Sequence, residues 1–317
     1  MYNLGIDLGG TNIVVGVVDE NYEIKASAKR KTMAPRPAKD IADDIAATCF
    51  DALAAAGITM ADIENIGLGT PGAVNSEKGV ISFANNLNFF DVDMGALLKE
   101  RLGKPVYIEN DANCAAYGEF LAGAGRGTKD FIAVTLGTGV GGGIIIDGKI
   151  YSGFNGAGGE LGHTVIQMNG ERCSCGRTGC FEAYASATAL IRQTKQAMIR
   201  YPESVMWDIV GRNIDAVDGK TAFDAMRRGD EAGIGVVDSY IQYLAVGIAN
   251  IINTFQPQVI CIGGGISKEG KNLTDPINKL VKGENYARNI DTSTEIKVAA
   301  LGNDAGVIGA ACLYKLH

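Results

Sequence analysis

The sequence has no excess of basic residues and no long hydrophobic run. Its 29 lysines and arginines are outnumbered by 36 aspartates and glutamates, and the net charge is -7. Proteins that bind nucleic acid usually present a basic face, so this charge balance argues against a nucleic-acid partner. No stretch reaches the ~18 apolar residues that a membrane helix needs. The composition therefore predicts neither a nucleic-acid partner nor a membrane span.

The first residues also lack the features of a secretory signal. Residues 1–5, Met-Tyr-Asn-Leu-Gly, contain no basic segment followed by an apolar core. We therefore expect a cytoplasmic protein, in which the 7 cysteines stay reduced. Under those conditions a cluster of cysteines is interpreted first as a metal site.

Length and residue order favour two α/β domains. The 317 residues include 46% hydrophobic and 21% charged residues, enough to bury a core. Apolar segments with strand character alternate with segments of helical periodicity, which is typical of an α/β fold. The predicted strands are 3–7, 13–18, 65–68, 105–108, 131–136, 143–146, 259–262 and 295–300. The predicted helices are 39–56, 111–121, 180–199, 221–228, 231–253 and 304–314.

The 43 glycines are concentrated in short clusters beside apolar runs. Residues 7–19 align without a gap on residues 135–147, and both segments have the pattern strand, glycine turn, strand. Coincidence between two hairpins is one explanation. Two homologous lobes, each presenting a glycine turn to a shared cleft, is the other.

The second turn contains the spacing Gly137, Gly139 and Gly142 of a dinucleotide-binding motif. That motif requires a helix directly after the glycines, whereas a β-branched segment follows here, so we reject a nicotinamide cofactor. Turns of this kind can bind anionic oxygens through their N–H groups, although plain hairpin turns would look similar. Asp7 ends a buried strand, and a magnesium ion, held directly or through water, would account for its carboxylate.

The segment Glu109-Asn110-Asp111-Ala112-Asn113 runs from a predicted strand into a helix. Position alone favours helix capping by Asn or Asp. A carboxylate at such a strand end can also accept the proton of a substrate hydroxyl during phosphoryl transfer. The segment therefore has two interpretations, a helix cap and a catalytic base at Asp111.

One histidine precedes three closely spaced cysteines. His163 lies ten positions before Cys173, and Cys175 and Cys180 follow. One histidine and three thiolates are a complete ligand set for tetrahedral zinc, and four protein ligands indicate a structural site. With one ring nitrogen on zinc, the other could face a polar ligand, beside Glu160 and Glu182.

Together these motifs resemble the ROK family of sugar kinases and repressors, over residues 4 to about 312. Residues 7–11 look like its first phosphate motif, 137–143 like its second, and 109–113 like its catalytic segment. Residues 160–163 and 173–182 look like its sugar and zinc signature. Residues 262–267 and 302–306 look like its adenosine-side loops.

The resemblance implies a kinase with the two-lobed, actin-like fold of the ribonuclease H-like class and a cleft between the lobes. The expected lobes are residues 1–113 with 303–317, and residues 114–302, which would carry the zinc site and the dimer interface. Asp111 would be the base. The implied sugar contacts are Gly72, Asn85, Asn110, Asp111, Glu160, His163 and Glu182. The implied contacts to ATP and Mg²⁺ are Asp7, Gly9, Gly10, Thr11, Asn12, Gly137, Thr138, Gly139, Gly264 and Gly265.

Within the family the pattern looks most like glucose kinases of glycolysis, which often form homodimers. Kinases for fructose, mannose or N-acetylhexosamines share the same motifs, and polyphosphate could replace ATP as donor. A sugar-responsive repressor of the family would carry an N-terminal helix-turn-helix domain, for which the position of Asp7 leaves no room. An actin-like structural protein would not need the histidine–cysteine set.

Overall fold

The computed structural model describes residues 1–317, which form thirteen strands and ten α-helices. The strands are β1 (Tyr2–Leu8), β2 (Asn12–Asp19), β3 (Ile24–Lys31), β4 (Ile63–Thr70), β5 (Ala73–Asn75), β6 (Val80–Ala84), β7 (Phe89–Val92), β8 (Val106–Asn110), β9 (Phe131–Leu136), β10 (Val140–Ile146), β11 (Lys149–Ile150), β12 (Val259–Gly263) and β13 (Glu295–Val298). The helices are α1 (Ala38–Ala56), α2 (Met94–Leu102), α3 (Asp111–Ala122), α4 (Glu182–Ala185), α5 (Ala187–Arg200), α6 (Met206–Ile209), α7 (Thr221–Arg227), α8 (Glu231–Phe255), α9 (Lys271–Glu284) and α10 (Ala305–Ala311).

The first sheet has five strands in the order β3-β2-β1-β4-β8. Strand β1 runs antiparallel to β2 and parallel to β4, and β4 runs parallel to β8. The carboxyl ends of β1, β4 and β8 therefore lie at one edge of the sheet. The apolar residues of β1 and β2 are buried against those of α1, which has Ile41, Ile45 and Cys49 on its covered face.

The second sheet also has five strands, in the order β11-β10-β9-β12-β13. A third, antiparallel sheet has the order β5-β6-β7. The turn between β1 and β2 and the turn between β9 and β10 each join neighbouring strands, as the internal alignment predicts. In that alignment Asp7 and Thr135 occupy the same place, the penultimate residue of the first strand.

Contacts divide the chain into two compact units. The first contains residues 1–133, 143–159 and 300–317, and the second contains residues 134–142 and 160–299. The sequence-based boundaries differ, because α3 belongs to the first unit and not to the second. It packs closely on α10: Gly118 and Gly309 lie at this contact, and an added Cβ at either would overlap the facing backbone.

Several elements differ from their sequence-based prediction. Strand β3, the third sheet and helices α2 and α9 were not predicted. The helix predicted at 180–199 is interrupted at Ser186, whose side chain caps α5 by accepting the N–H of Ala189 at 3.0 Å. The helix predicted at 304–314 is shorter, because a 3₁₀ turn precedes α10 and another follows it.

Helix α8 is long and apolar enough to meet the length and composition criteria for a membrane span, although polar residues interrupt its apolar sequence. Its best 18-residue window has a mean hydropathy of 1.3 and is 56% buried. Helices buried in the core of a protein meet the same length and composition criteria. The covered face of α8 includes Val237, Tyr240 and Leu244, which are fully buried within the protein.

Candidate functional site

The carboxyl edge of the first sheet carries Asp7 near the end of β1 and Asn110 at the end of β8. Asp111 follows Asn110 as the first residue of α3. The parallel arrangement of β1, β4 and β8 therefore places two carboxylates at one edge of the sheet. They are close enough for the charge of Asp111 to influence Asp7.

Neighbouring residues of the 109–113 segment have separate structural roles. Asn110 caps α3, because its side-chain oxygen accepts the N–H groups of Ala112 at 2.9 Å and Asn113 at 3.2 Å. Its side-chain nitrogen donates to the carbonyl oxygen of Gly72 at 3.0 Å. The cap function that the sequence left open thus falls on Asn110. The carboxylate of Asp111 accepts a hydrogen bond from the N–H of Ala112 at 2.8 Å.

Glu109 is a buried anchor of this segment, only 7% exposed. Its carboxylate accepts hydrogen bonds from the hydroxyl of Ser76 at 2.9 Å, the N–H of Asn110 at 2.8 Å and the amide of Asn113 at 3.0 Å. Because these contacts use both oxygens, Glu109 holds the strand end in place beneath Asp111. This anchoring role of Glu109 was not predicted from residue order.

Burial perturbs both carboxylates at the sheet edge. Burial, and to a smaller extent the nearby charge of Asp111, together raise the pKa of Asp7 from 3.8 to about 6. Burial also raises the pKa of Asp111, although the backbone N–H of Ala112 opposes this shift. Buried carboxylates with raised pKa values are typical of catalytic and metal-binding positions.

Gly72 and Asn85 lie next to the third sheet. Gly72 has φ +95°, and an added Cβ would overlap the carbonyl oxygen of Phe83. Only glycine fits this close approach. Asn85 begins a 3₁₀ turn between β6 and β7. The next residue, Asn86, lies beside Gly10, since an added Cβ there would be 3.4 Å from the Cβ of Asn86. The first glycine turn and the asparagine-rich segment therefore adjoin.

The first glycine turn joins β1 to β2 and leaves backbone donors open. The N–H of Gly9 donates to the carbonyl of Asn12 at 2.8 Å, whereas the N–H groups of Gly10 and Thr11 have no protein acceptor. The buried side-chain oxygen of Asn12 also has no protein donor. Two free N–H groups beside a raised-pKa carboxylate, Asp7, suit a phosphate and its cation.

The second glycine turn, between β9 and β10, also leaves backbone N–H donors open. The N–H of Gly137 donates to the carbonyl of Gly139 at 3.0 Å, and the N–H groups of Thr138 and Gly139 have no protein acceptor. The N–H of Val140 donates to Glu182 at 3.1 Å. Nearby, Gly264 has φ +85° and lies against the backbone of Leu136, where an added Cβ would overlap it.

His163, Cys173, Cys175 and Cys180 form one cluster, with their ligand atoms all within 4.8 Å of one another. The Nδ1 of His163 is 3.6 Å from the Sγ of Cys173, and the Sγ atoms of Cys175 and Cys180 are 3.7 Å apart. Around a tetrahedral zinc ion, sulfur and nitrogen ligands would be about 3.5–3.8 Å apart. The four side chains therefore fit zinc in both chemistry and spacing.

The two predicted acidic sugar contacts differ in their surroundings. Glu160 precedes the 3₁₀ turn Leu161–His163, and its carbonyl accepts the N–H of His163 at 3.0 Å. Glu182 accepts a hydrogen bond from the hydroxyl of Ser174 at 2.9 Å as well as the N–H of Val140. Glu182 thus connects the cysteine loop to the second glycine turn, a link that could not be predicted from residue order.

A model of the ROK family matches residues 3–316. The chain belongs to the ROK family. It is 37% identical to a glucokinase from Thermotoga maritima over 98% of this chain and 96% of that protein. It is 38% identical to a glucokinase from Halalkalibacterium halodurans over 98% of this chain and 94% of that protein.

Comparison with a solved structure also relates the chain to the ROK family. The ROK family glucokinase from Streptomyces griseus, in complex with glucose and AMPPNP, superposes with a TM-score of 0.79 at 36% identity, covering 99% of each chain. This likeness confirms the predicted α/β, actin-like fold class. The resemblance to the ROK family, drawn from the motifs, is confirmed as well.

Proposed function

We propose that this protein is an ATP-dependent glucokinase that transfers the γ-phosphate of ATP to the 6-hydroxyl of glucose. One observation carries the proposal: Asp111 is a partly buried carboxylate with a raised pKa, and Asn110 next to it already performs the helix cap. Asp111 is therefore not needed as the helix cap and can act as the catalytic base. The full-length similarity to glucokinases supports glucose as the acceptor.

In the proposed reaction Asp111 accepts the proton of the sugar 6-hydroxyl. The hydroxyl oxygen forms a bond to the γ-phosphorus, and the bond from that phosphorus to the β–γ bridging oxygen breaks, releasing ADP. A raised pKa improves the base, because proton transfer is more efficient when its pKa lies closer to the working pH. Beyond this base, phosphoryl transfer mainly requires that the protein position the reactants and neutralise the charge on the phosphates.

The two glycine turns would bind the phosphates of ATP. Their free N–H groups, at Gly10, Thr11, Thr138 and Gly139, are donors for anionic oxygens. Asp7 and Asn12 would hold hydrated Mg²⁺, which neutralises charge on the phosphates when it is bound. Gly9, Gly137, Gly264 and Gly265 would let the nucleotide approach the backbone closely, because they carry no side chain.

The sugar would be held by polar groups of two kinds. Asn110 and the backbone at Gly72 are already joined by a hydrogen bond, and Asn85 follows on the adjoining strand end. Glu160, His163 and Glu182 offer carboxylate acceptors and an imidazole donor for ring hydroxyls. These residue types suit a neutral, hydroxyl-rich ligand.

We propose a structural zinc ion held by His163, Cys173, Cys175 and Cys180. Zinc on Nδ1 of His163 would fix the ring and leave Nε2 as the donor to the sugar. We further propose a homodimer that acts in the cytoplasm and supplies glycolysis. Light scattering in solution tests the dimer, and a monomer at micromolar concentration would contradict it.

The function is tested by an ATP-coupled assay over glucose, fructose, mannose and N-acetylhexosamines, with Asp111→Asn as the key variant. We expect glucose to have the highest kcat/KM, and Asp111→Asn to lose about 10²–10⁴ in kcat with glucose binding retained. Asp93→Asn is the matched control, since Asp93 only caps α2. A fully active Asp111→Asn protein would refute the base, and activity on none of these sugars would refute the kinase.

The zinc proposal has its own test. Cys175→Ser should lower the bound zinc measured by atomic emission and weaken glucose binding in calorimetry, because His163 is no longer fixed. Cys49→Ala serves as the control, because Cys49 is buried in the core away from the cluster. Wild-type glucose affinity in a variant without zinc would contradict the link between metal and sugar.

A further inference from the structure

Two threonines outside the glycine turns hold carbonyl groups of those turns. The hydroxyl of Thr32 donates to the carbonyl of Gly9 at 2.6 Å. The hydroxyl of Thr188 donates to the carbonyl of Thr138 at 2.8 Å. Thr32 follows β3, and Thr188 is the second residue of α5, so the two contacts come from unrelated parts of the chain.

Each threonine belongs to a larger attachment. The N–H of Thr32 donates to the carbonyl of Thr11 at 2.9 Å, and its carbonyl accepts the Nε of Arg36 at 2.8 Å. Next to Thr188, the N–H of Ala187 donates to the carbonyl of Gly137 at 2.8 Å. Two carbonyls of each turn are therefore bound from outside the turn.

These contacts decide where the N–H groups point. In a planar trans peptide the carbonyl and the following N–H point in opposite directions. The bond from Thr32 to the carbonyl of Gly9 therefore directs the N–H of Gly10 the opposite way. In the same manner the bond from Thr188 directs the N–H of Gly139. Both of these N–H groups lack a protein acceptor.

Without the threonines, the orientation of these peptides would be weakly determined. Glycine crosses between backbone regions at little steric cost, so a peptide next to glycine can rotate easily. Thr188 is exposed, so its bond to the carbonyl is not needed to satisfy a buried group, because water could replace it. A role in orienting the peptide explains why the hydroxyl of Thr188, and not water, binds the carbonyl of Thr138.

We propose that Thr32 and Thr188 are positioning residues that aim the N–H groups of Gly10 and Gly139 at the phosphates of ATP. The proposal rests on the proposed function, in which the two turns bind phosphate. It adds that the donors are oriented before the nucleotide arrives, so less free energy is lost in ordering them on binding.

The test uses Thr188→Val, which keeps the shape and removes the hydroxyl, and Thr188→Ser, which keeps the hydroxyl. Binding of ADP and of adenosine is measured by calorimetry on the full-length protein. Losing one hydrogen bond of about 1 kcal/mol corresponds to about 5–10-fold weaker ADP binding. We expect this loss for Thr188→Val, adenosine binding unchanged, and Thr188→Ser within about twofold of wild type.

Two outcomes would overturn the proposal. Unchanged ADP binding in Thr188→Val would show that the hydroxyl does not orient a donor. An equal loss for ADP and adenosine would show a general structural effect. Thr32→Ser and Thr32→Val repeat the comparison at the first turn. If the buried Thr32→Val protein does not fold, the Thr188 pair still decides.

Failure of this inference and failure of the proposed function give different results. Wild-type protein that neither binds ADP nor phosphorylates a sugar would refute the function. Wild-type protein that does both, with a Thr188→Val variant indistinguishable from it, would refute only the role of the threonines.

Discussion

Replacing Asp7 with asparagine should make the ligand-free protein more stable and the enzyme inactive. The carboxylate of Asp7 is partly buried, and this burial together with the charge of Asp111 raises its pKa from 3.8 to about 6. This difference corresponds to about 3 kcal/mol of unfavourable free energy when the group is ionised in the folded protein. At pH 7 the asparagine variant avoids that cost, so its free energy of unfolding should rise by up to about 3 kcal/mol.

The pH dependence of the free energy of unfolding shows whether ionisation of Asp7 causes the stability difference. Between about pH 4 and pH 6 the folded protein binds the Asp7 proton more tightly than the unfolded chain does. The free energy of unfolding of the wild type should therefore fall as pH rises through this range. The Asp7→Asn variant should lack the part of this fall that Asp7 causes. Below about pH 4 Asp7 is protonated in both states, so the stability difference between variant and wild type should shrink.

Urea unfolding of the protein without added nucleotide, sugar or Mg²⁺, at pH 4, 5, 6 and 7, measures both effects. Asp40→Asn is the control, since Asp40 is exposed in the first turn of α1 and should not show the same trend. Activity of Asp7→Asn should fall by at least about 10²-fold because the proposed Mg²⁺ ligand is lost. A variant less stable than wild type at pH 7, or a difference independent of pH, would refute the reasoning.

Two further predictions concern packing and a buried carboxylate. Gly309→Ala should destabilise the protein by about 3 kcal/mol or more, because the new methyl overlaps the carbonyl of Cys114. Gly235→Ala, in α8 with open space at its Cβ, should instead stabilise it by about 1 kcal/mol, and thermal unfolding compares the two. Glu119→Ala should cost about 2–4 kcal/mol in urea unfolding, because Glu119 is 3% exposed and accepts three backbone N–H groups that would lose their partner. Wild-type stability in Glu119→Ala would contradict that account.

The strongly patterned elements could be predicted from the sequence. The apolar runs of β1, β9 and β12 and the helical spacing of α1 and α8 match the structure closely, because these elements bury most of their apolar residues. Strand β3 was missed because it is mostly lysine, arginine and small residues at the edge of a sheet, where few apolar contacts are needed. The short strands β5 to β7 form through pairing with one another, which local periodicity does not reveal.

The amino-acid order by itself determined the family, the glycine turns and the histidine–cysteine set, because these depend on residue type and spacing along the chain. The division of roles at 109–111 was decided only by the tertiary structure. The carbonyl of Gly72 holds the side-chain nitrogen of Asn110, and the hydroxyl of Ser76 anchors Glu109, from more than thirty positions away in the chain. Asp111 is distinguished by its raised pKa, which results mainly from desolvation by the surrounding protein. The physical reason is that hydrogen-bond partners and burial arise from packing of distant segments, which no local pattern records.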